Sequence, residues 1–198
     1  MFVTFEGLDG SGKTTQARLL AQHLAAEGRE VVATREPGGT PLGERVREVL
    51  LHGEDVSPWA EAALFAAARA EIVARVIRPA LERGADVVCD RYIDSSLAYQ
   101  GIARGLGVER VLELNLDVVD GLLPDRTFLL VVDPSVAAGR SRRKPDRIER
   151  EGEEFRAALD RAYRELVDLF PERIVALDAS ATPSEIADQV RAALPLPA

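Results

Sequence analysis

The sequence predicts an α/β domain: a doubly wound, five-stranded parallel sheet flanked by helices. Three observations point there. Short apolar runs recur along the chain, with helix-patterned stretches between them. Runs such as Val87-Val88 and Leu129-Leu130-Val131-Val132 are continuous rather than alternating, as strands covered on both faces require. Finally, Gly7-Leu8-Asp9-Gly10-Ser11-Gly12-Lys13-Thr14 fits GxxxxGK[ST] without a mismatch, where the first apolar run meets the first helical pattern. The 198 residues suit a single domain, 1–198, and 46% apolar content is enough to fill its core. No internal repeat and no Pro-, Gly- or Ser-rich linker divides the chain.

Taken in order, the first strand, Phe2–Phe5, delivers the chain to the glycine-rich loop. A phosphate cradle works at such a strand-to-helix turn, where backbone N–H groups are unpaired and the helix dipole favours negative charge. Lys13 reaches the β- and γ-phosphates, and the Thr14 hydroxyl ligates Mg²⁺. Ala17, Leu20, Ala21 and Leu24 then fall at i, i+3, i+4, i+7, the core stripe of a helix. The second strand, Val31–Thr34, runs into Thr34-Arg35-Glu36-Pro37-Gly38-Gly39-Thr40, whose Pro and paired Gly make a turn. The third, Val87–Asp90, ends in Asp90-Arg91-Tyr92. An Asp in that place holds the Mg²⁺ hydration shell through water, and the planar fork of Arg91 grips a second phosphate; a structural ion pair between the two is the alternative. After the fourth strand, Thr127–Asp133, Arg140, Arg142, Arg143, Lys144, Arg147 and Arg150 crowd together. Residues Arg140–Gly152 are charged and poor in apolar side chains, which predicts a short mobile lid at about 140–152. A second core stripe, Phe155, Leu159, Tyr163, Leu166 and Phe170, precedes the fifth strand, Ile174–Asp178. Open α/β sheets bind ligands at the C-terminal ends of their strands, and every chemistry-bearing segment here lies at one.

Composition removes several function classes. A net charge of −8 argues against nucleic acid as a partner, because phosphate backbones reward a basic surface. Cys89 is the single cysteine, so no internal disulfide and no cysteine zinc site can form. No apolar stretch approaches membrane-spanning length and the N-terminus lacks the parts of a signal peptide, so the expected compartment is the cytoplasm, away from membranes. Two lysines stand against twenty-three arginines, which suits either a GC-rich genome or a hot habitat. The sole asparagine sits in Asn115-Leu116-Asp117, not in the Asn-Lys-x-Asp of guanine-reading GTPases, and Asp90 is followed by arginine where hydrolysing ATPases carry a second acid. With no activator of water in view, the pattern is that of a kinase. A nucleoside kinase using Glu36 as base and a nucleotide-gated module without catalysis are the alternatives.

Longer segments carry a specific resemblance. Phe5-Glu6-Gly7-Leu8-Asp9-Gly10-Ser11-Gly12-Lys13-Thr14-Thr15, Arg35-Glu36-Pro37-Gly38-Gly39-Thr40, Phe65 with Arg69, Asp90-Arg91-Tyr92-Ile93-Asp94-Ser95-Ser96-Leu97-Ala98-Tyr99-Gln100-Gly101 and Asp146-Arg147-Ile148-Glu149 strongly resemble thymidylate kinase, in the right order and over nearly the full length. Within it the chain is similar to the bacterial subtype, with Gly10 in the loop and arginines supplied by the lid. The resemblance implies a P-loop kinase that converts ATP and dTMP to ADP and dTDP with Mg²⁺, as a homodimer. It implies that residues 7–15 (Gly7, Leu8, Asp9, Gly10, Ser11, Gly12, Lys13, Thr14, Thr15) hold ATP. It further implies that Arg91 clamps the dTMP phosphate, that Asp9 accepts from the 3′-hydroxyl, and that Phe65 stacks on thymine while Arg69 meets its carbonyl. Ser96, Tyr99 and Gln100 line the same pocket, with Tyr99 crowding the 2′ side of the sugar, and Glu36 faces it. Arg142, with Arg140 or Arg143, swings over the γ-phosphate. Related eukaryotic enzymes use an arginine near the Gly38-Gly39 position for the acceptor phosphate; Arg35 or Arg47 is left to replace it.

Overall fold

The computed structural model describes residues 1–140 and 146–194. Its five strands form one parallel sheet in the order β2-β3-β1-β4-β5. They are β1 (Phe2–Glu6), β2 (Val31–Arg35), β3 (Asp86–Asp90), β4 (Arg126–Val131) and β5 (Ile174–Asp178). All five expected strands are present; β1, β2 and β3 each gain one residue at an end, and β4 shifts the most. β4 stops two residues short of Asp133, because the Asp133 carboxylate accepts from Ser135 N at 2.8 Å and turns the chain into the next helix. Sequence order leaves β1 in one direction for β2 and β3 and then returns past it to β4 and β5. The reversal opens a crevice above β1 and β3, where such sheets bind ligands.

Nine α-helices cover the two faces among the described residues: α1 (Lys13–Ala26), α2 (Pro41–His52), α3 (Pro58–Ile72), α4 (Arg78–Glu82), α5 (Ile93–Ser96), α6 (Val108–Val119), α7 (Pro134–Arg140), α8 (Glu153–Leu169) and α9 (Pro183–Ala192). α5 continues as a π-helical stretch, Leu97–Ala103. β1 is buried along its whole length and shows why both faces need cover. Val3 and Phe5 enter one core, Phe5 stacking on Phe128 at 5.6 Å, while Phe2 enters the other, edge-on to Tyr92 at 5.0 Å. Both helical stripes pack inward as expected, with Leu20, Leu24, Leu159 and Leu166 buried. None of the described helices is long and apolar enough to cross a membrane.

Candidate active site

The N-terminus of α1 is left open. α2, α3 and α9 are capped by Thr40, Ser57 and Thr182, whose side chains accept from their first turns. α1 has Gly12 at its N-cap and neither a side-chain cap nor an acid in its first turn. Its leading N–H groups therefore face the loop as an anion site. The loop's close approach depends on glycine. Gly10 has φ 86°, and a Cβ there would lie 2.1 Å from the Ala137 carbonyl oxygen of α7. Gly7, with φ 134°, would bring a Cβ within 2.6 Å of Leu130 O. No side chain fits at position 10, so cationic charge for the donor phosphates comes from elsewhere. Lys13 is buried, donates from Nζ to Leu8 O at 2.8 Å and stands 3.8 Å from Asp9 Oδ1. Burial, with Arg91 beside it, pulls its ammonium from 10.5 down to about 8, against Asp9, Asp90 and Glu6. From the end of β3, Asp90 Oδ2 accepts from Thr14 Oγ1 at 2.5 Å.

Arg91 joins the two halves of the crevice. Its φ of 72° is left-handed, a region that costs a non-glycine residue free energy and survives where the surroundings over-determine it. Its backbone N–H is tied to Phe5 O at 3.0 Å. Its guanidinium donates to Asp9 Oδ1 at 2.7 Å, Tyr163 Oη at 2.9 Å and Ser95 Oγ at 3.1 Å, and lies over the Tyr99 ring at 5.5 Å. Behind it, Glu6 is 1% exposed and accepts from Tyr92 N, Ser95 N, Ser95 Oγ and Tyr163 Oη within 3.1 Å. Burial pushes the Glu6 carboxyl above its ordinary range, while Arg91 pulls it back. The alternative of a simple Asp90–Arg91 ion pair is not what forms, since Arg91 turns to Asp9 and Asp90 to Thr14.

Two cavities meet at Asp9. One is lined by loop residues 9–16, by Arg140, and by Ala179, Pro183 and Ile186 from around α9. Arg140 faces the far end of this groove, donating to Ala179 O at 3.0 Å. Arg142 and Arg143 lie outside the described residues. The other cavity brings together Asp9, Glu36, Phe65, Arg91, Ser96, Tyr99 and Gln100, the whole expected acceptor set except Arg69. Arg69 is 1% exposed and stands behind the wall. It donates to Glu36 Oε2 (2.8 Å from Nε, with Nη2 2.6 Å away), Ser96 Oγ (2.9 Å), Asn115 Oδ1 and Tyr92 O (2.9 Å). Four of the five guanidinium N–H groups are taken up in these hydrogen bonds, and Nη2 also lies against Glu36 as an ion pair. Glu36 is buried, and its Oε1 has no hydrogen-bond partner among the described residues. Burial raises its carboxyl to about 7, with Arg69 opposing. Arg47 borders this cavity, whereas Arg35 turns away to Glu44 at 3.0 Å. Of the two arginines expected near the acceptor phosphate, Arg47 is the one that borders the cavity.

The charged segment after α7 differs from expectation where it is described. Asp146, Arg147 and Ile148 are buried, and Arg147 donates to Leu50 O at 2.8 Å and to Glu61 Oε2 at 2.6 Å. Counting charges misses this because the partners lie in α2 and α3, far away in sequence. Tyr163 was legible only as core, and Glu61 gave no signal at all.

The family profile described as thymidylate kinase matches residues 5–190. The thymidylate kinase of Bifidobacterium longum strain DJO10A is 50% identical over 185 residues, covering 91% of this chain and 90% of its own. That of Leifsonia xyli subsp. xyli is 50% identical over 198 residues, covering 98% and 94%. A crystal structure of thymidylate kinase from Ehrlichia chaffeensis superposes with a TM-score of 0.79 at 35% identity, covering 96% of this chain and 98% of that one. Sequence, fold and the joined cavities agree: this chain belongs to the thymidylate kinase family.

Proposed function

We propose that the protein transfers the γ-phosphoryl group of ATP to dTMP, giving ADP and dTDP. The observation that carries this is the meeting of the two cavities at Asp9, one beneath an uncapped helix N-terminus and the other walled by Phe65, Arg91, Tyr99 and Gln100. The acceptor is a phosphate monoester whose second pKa is near 6, already largely anionic at neutral pH, so no general base is required. Catalysis then reduces to aligning two phosphates and neutralising charge between them. Lys13 and the loop N–H groups hold the donor, and Arg91 orients the acceptor from the Asp9 side. Arg142, with Arg140 or Arg143, adds lid charge in the transition state. Phe65 stacks on the base, and Tyr99 crowds the 2′ position. Arg69 reaches the thymine carbonyl only if it releases one of its present partners. Thr14 and Asp90, hard oxygen donors already in contact, fit Mg²⁺, which binds few protein oxygens and keeps water and phosphate for the rest. When bound, Mg²⁺ would neutralise charge on the phosphates.

We place the protein in the cytoplasm as a homodimer. The family likeness supports the dimer, as do exposed Leu42 and Val49, seven apart on α2, and nearby Trp59 on α3. Light scattering at micromolar concentration should give twice the chain mass. Pure protein with Mg²⁺, ATP and dTMP should yield dTDP by mass spectrometry. Absence of the diphosphate, or thymidine or UMP outrunning dTMP severalfold, would overturn the assignment.

A further inference from the structure

Glu61, near the start of α3, is 1% exposed and touches neither cavity. Three side chains converge on it. Gln100 Nε2 donates to Oε1 at 2.9 Å, Arg104 reaches both oxygens at 3.3 Å, and Arg147 donates to Oε2 at 2.6 Å. Burial works against the charge, but the hydrogen bonds from Gln100, Arg147 and Arg104 prevail and hold the carboxyl below its ordinary value. An ionised carboxylate only accepts hydrogen bonds. The Gln100 amide must therefore turn its NH₂ toward Glu61 and its carbonyl oxygen the opposite way. Gln100 lines the acceptor cavity, and no described residue donates to that oxygen. Next to it, Ser96 Oγ accepts from Arg69, which leaves the Ser96 proton free to point outward. The wall thus presents an acceptor beside a donor, the complement of an imide N3–H beside a carbonyl.

We propose that Glu61 is a positioning residue for base choice, fixing the Gln100 amide so that the site takes a pyrimidine imide and rejects cytosine. Cytosine sets a lone pair at N3 and an amine at C4, so it meets the wall acceptor to acceptor and donor to donor. A site built to pair one pattern leaves its buried groups unmatched against the other, and this discriminates more strongly than shape. The proposal rests on the assignment of dTMP as acceptor.

Glu61→Gln inverts the arrangement. The new amide keeps its oxygen for the two arginines and turns its NH₂ to Gln100, which must then offer its own NH₂ to the cavity. The ratio of kcat/KM for dTMP over dCMP should fall at least about tenfold, with activity on dCMP rising in absolute terms, since one mismatched buried hydrogen bond is worth about 10- to 100-fold. Gln100→Leu should remove the discrimination, and adding Glu61→Gln to it should leave the ratio within about twofold, as a cycle of coupled residues requires. Equal losses on both nucleotides, or the same shift in the presence and absence of Gln100, would reduce Glu61 to a structural support and overturn the inference. Should Glu61→Gln not fold, ¹⁵N-labelled wild type decides. The Gln100 side-chain NH₂ signals, assigned by their loss in Gln100→Leu, should move little when dTMP binds, and a large shift would refute the orientation. A wild type that makes no dTDP would instead refute the assigned reaction.

Discussion

Raising the pH should disable ATP capture before it disables turnover. Lys13 is 6% exposed, and burial together with Arg91 brings its ammonium from 10.5 to about 8 in the free protein. That displacement corresponds to about 3 kcal/mol against the charged form. Half the free protein is then neutral at this lysine near pH 8, and each further unit leaves about tenfold less of the cationic form to meet triphosphate. kcat/KM for ATP reports groups of the free enzyme, so it should be half-maximal near pH 8 and fall about tenfold per unit beyond. Bound ATP brings negative charge to Lys13 and restores its proton, so kcat should hold its plateau about one unit further. Burial raises the hydroxyls of Tyr92, Tyr99 and Tyr163, keeping them out of this window. The assay is coupled ADP release at saturating dTMP and excess Mg²⁺ from about pH 6.5 to about pH 10, with Lys13→Ala as the control lacking the inflection. A kcat/KM for ATP that stays flat to about pH 9.5 would show that Lys13 remains charged in its pocket and would refute the reasoning.

Glu36 predicts a pH-dependent stability of the opposite kind to that of most carboxylates. Its folded pKa of about 7 lies above the ordinary 4.5, so its contribution is fully present below 4.5 and is lost as pH rises through 7. The unfolding free energy from urea titration should therefore drop between those values, by at most about 3 kcal/mol, and Glu36→Gln should shrink the drop. An unchanged drop would mean that Glu36 is ionised throughout. Tyr163→Phe removes an acceptor for Arg91 and a donor to Glu6, costing about 1.5–3 kcal/mol of stability. It should also lower kcat/KM for dTMP about tenfold while sparing ATP binding, and equal losses for both would place its effect on the fold instead. Gly10→Ala sets a Cβ 2.1 Å from Ala137 O, so ATP affinity measured by calorimetry should collapse with the melting temperature little changed. Retained affinity would show that α7 yields.

The sheet was legible because its signals are local. A continuous apolar run bounded by turn residues marks β1, β3 and β5 to within a residue or so, and the loop between β1 and α1 announces itself by spacing. The acceptor cavity was legible only through longer family segments, because Phe65, Ser96 and Gln100 carry no chemistry in isolation. The supporting shell escaped both routes. Tyr163 and Glu6 are 157 residues apart, and periodicity tells that a tyrosine faces inward but not what its hydroxyl meets. Arg147 reads as one more charge in a basic run, though Glu61 and Leu50 O bury it from 86 and 97 residues away. Arg69 shows the converse. The family resemblance suggested a base contact, while the fold gives its guanidinium to Glu36, Ser96, Asn115 and Tyr92.

The strand order β2-β3-β1-β4-β5 also divides the labour of evolution. The cavity holding Glu36, Phe65, Tyr99 and Gln100 is drawn chiefly from the β2–β3 wing and its helices, the groove along Lys13 from the β1 loop and the opposite wing, and among the described residues Asp9 is the one lining residue they share. Mutations that retune which nucleobase is welcome can accumulate on one side while the energy-donating machinery is inherited intact. Descendants of such a chain are free to change clientele without reinventing how they spend ATP.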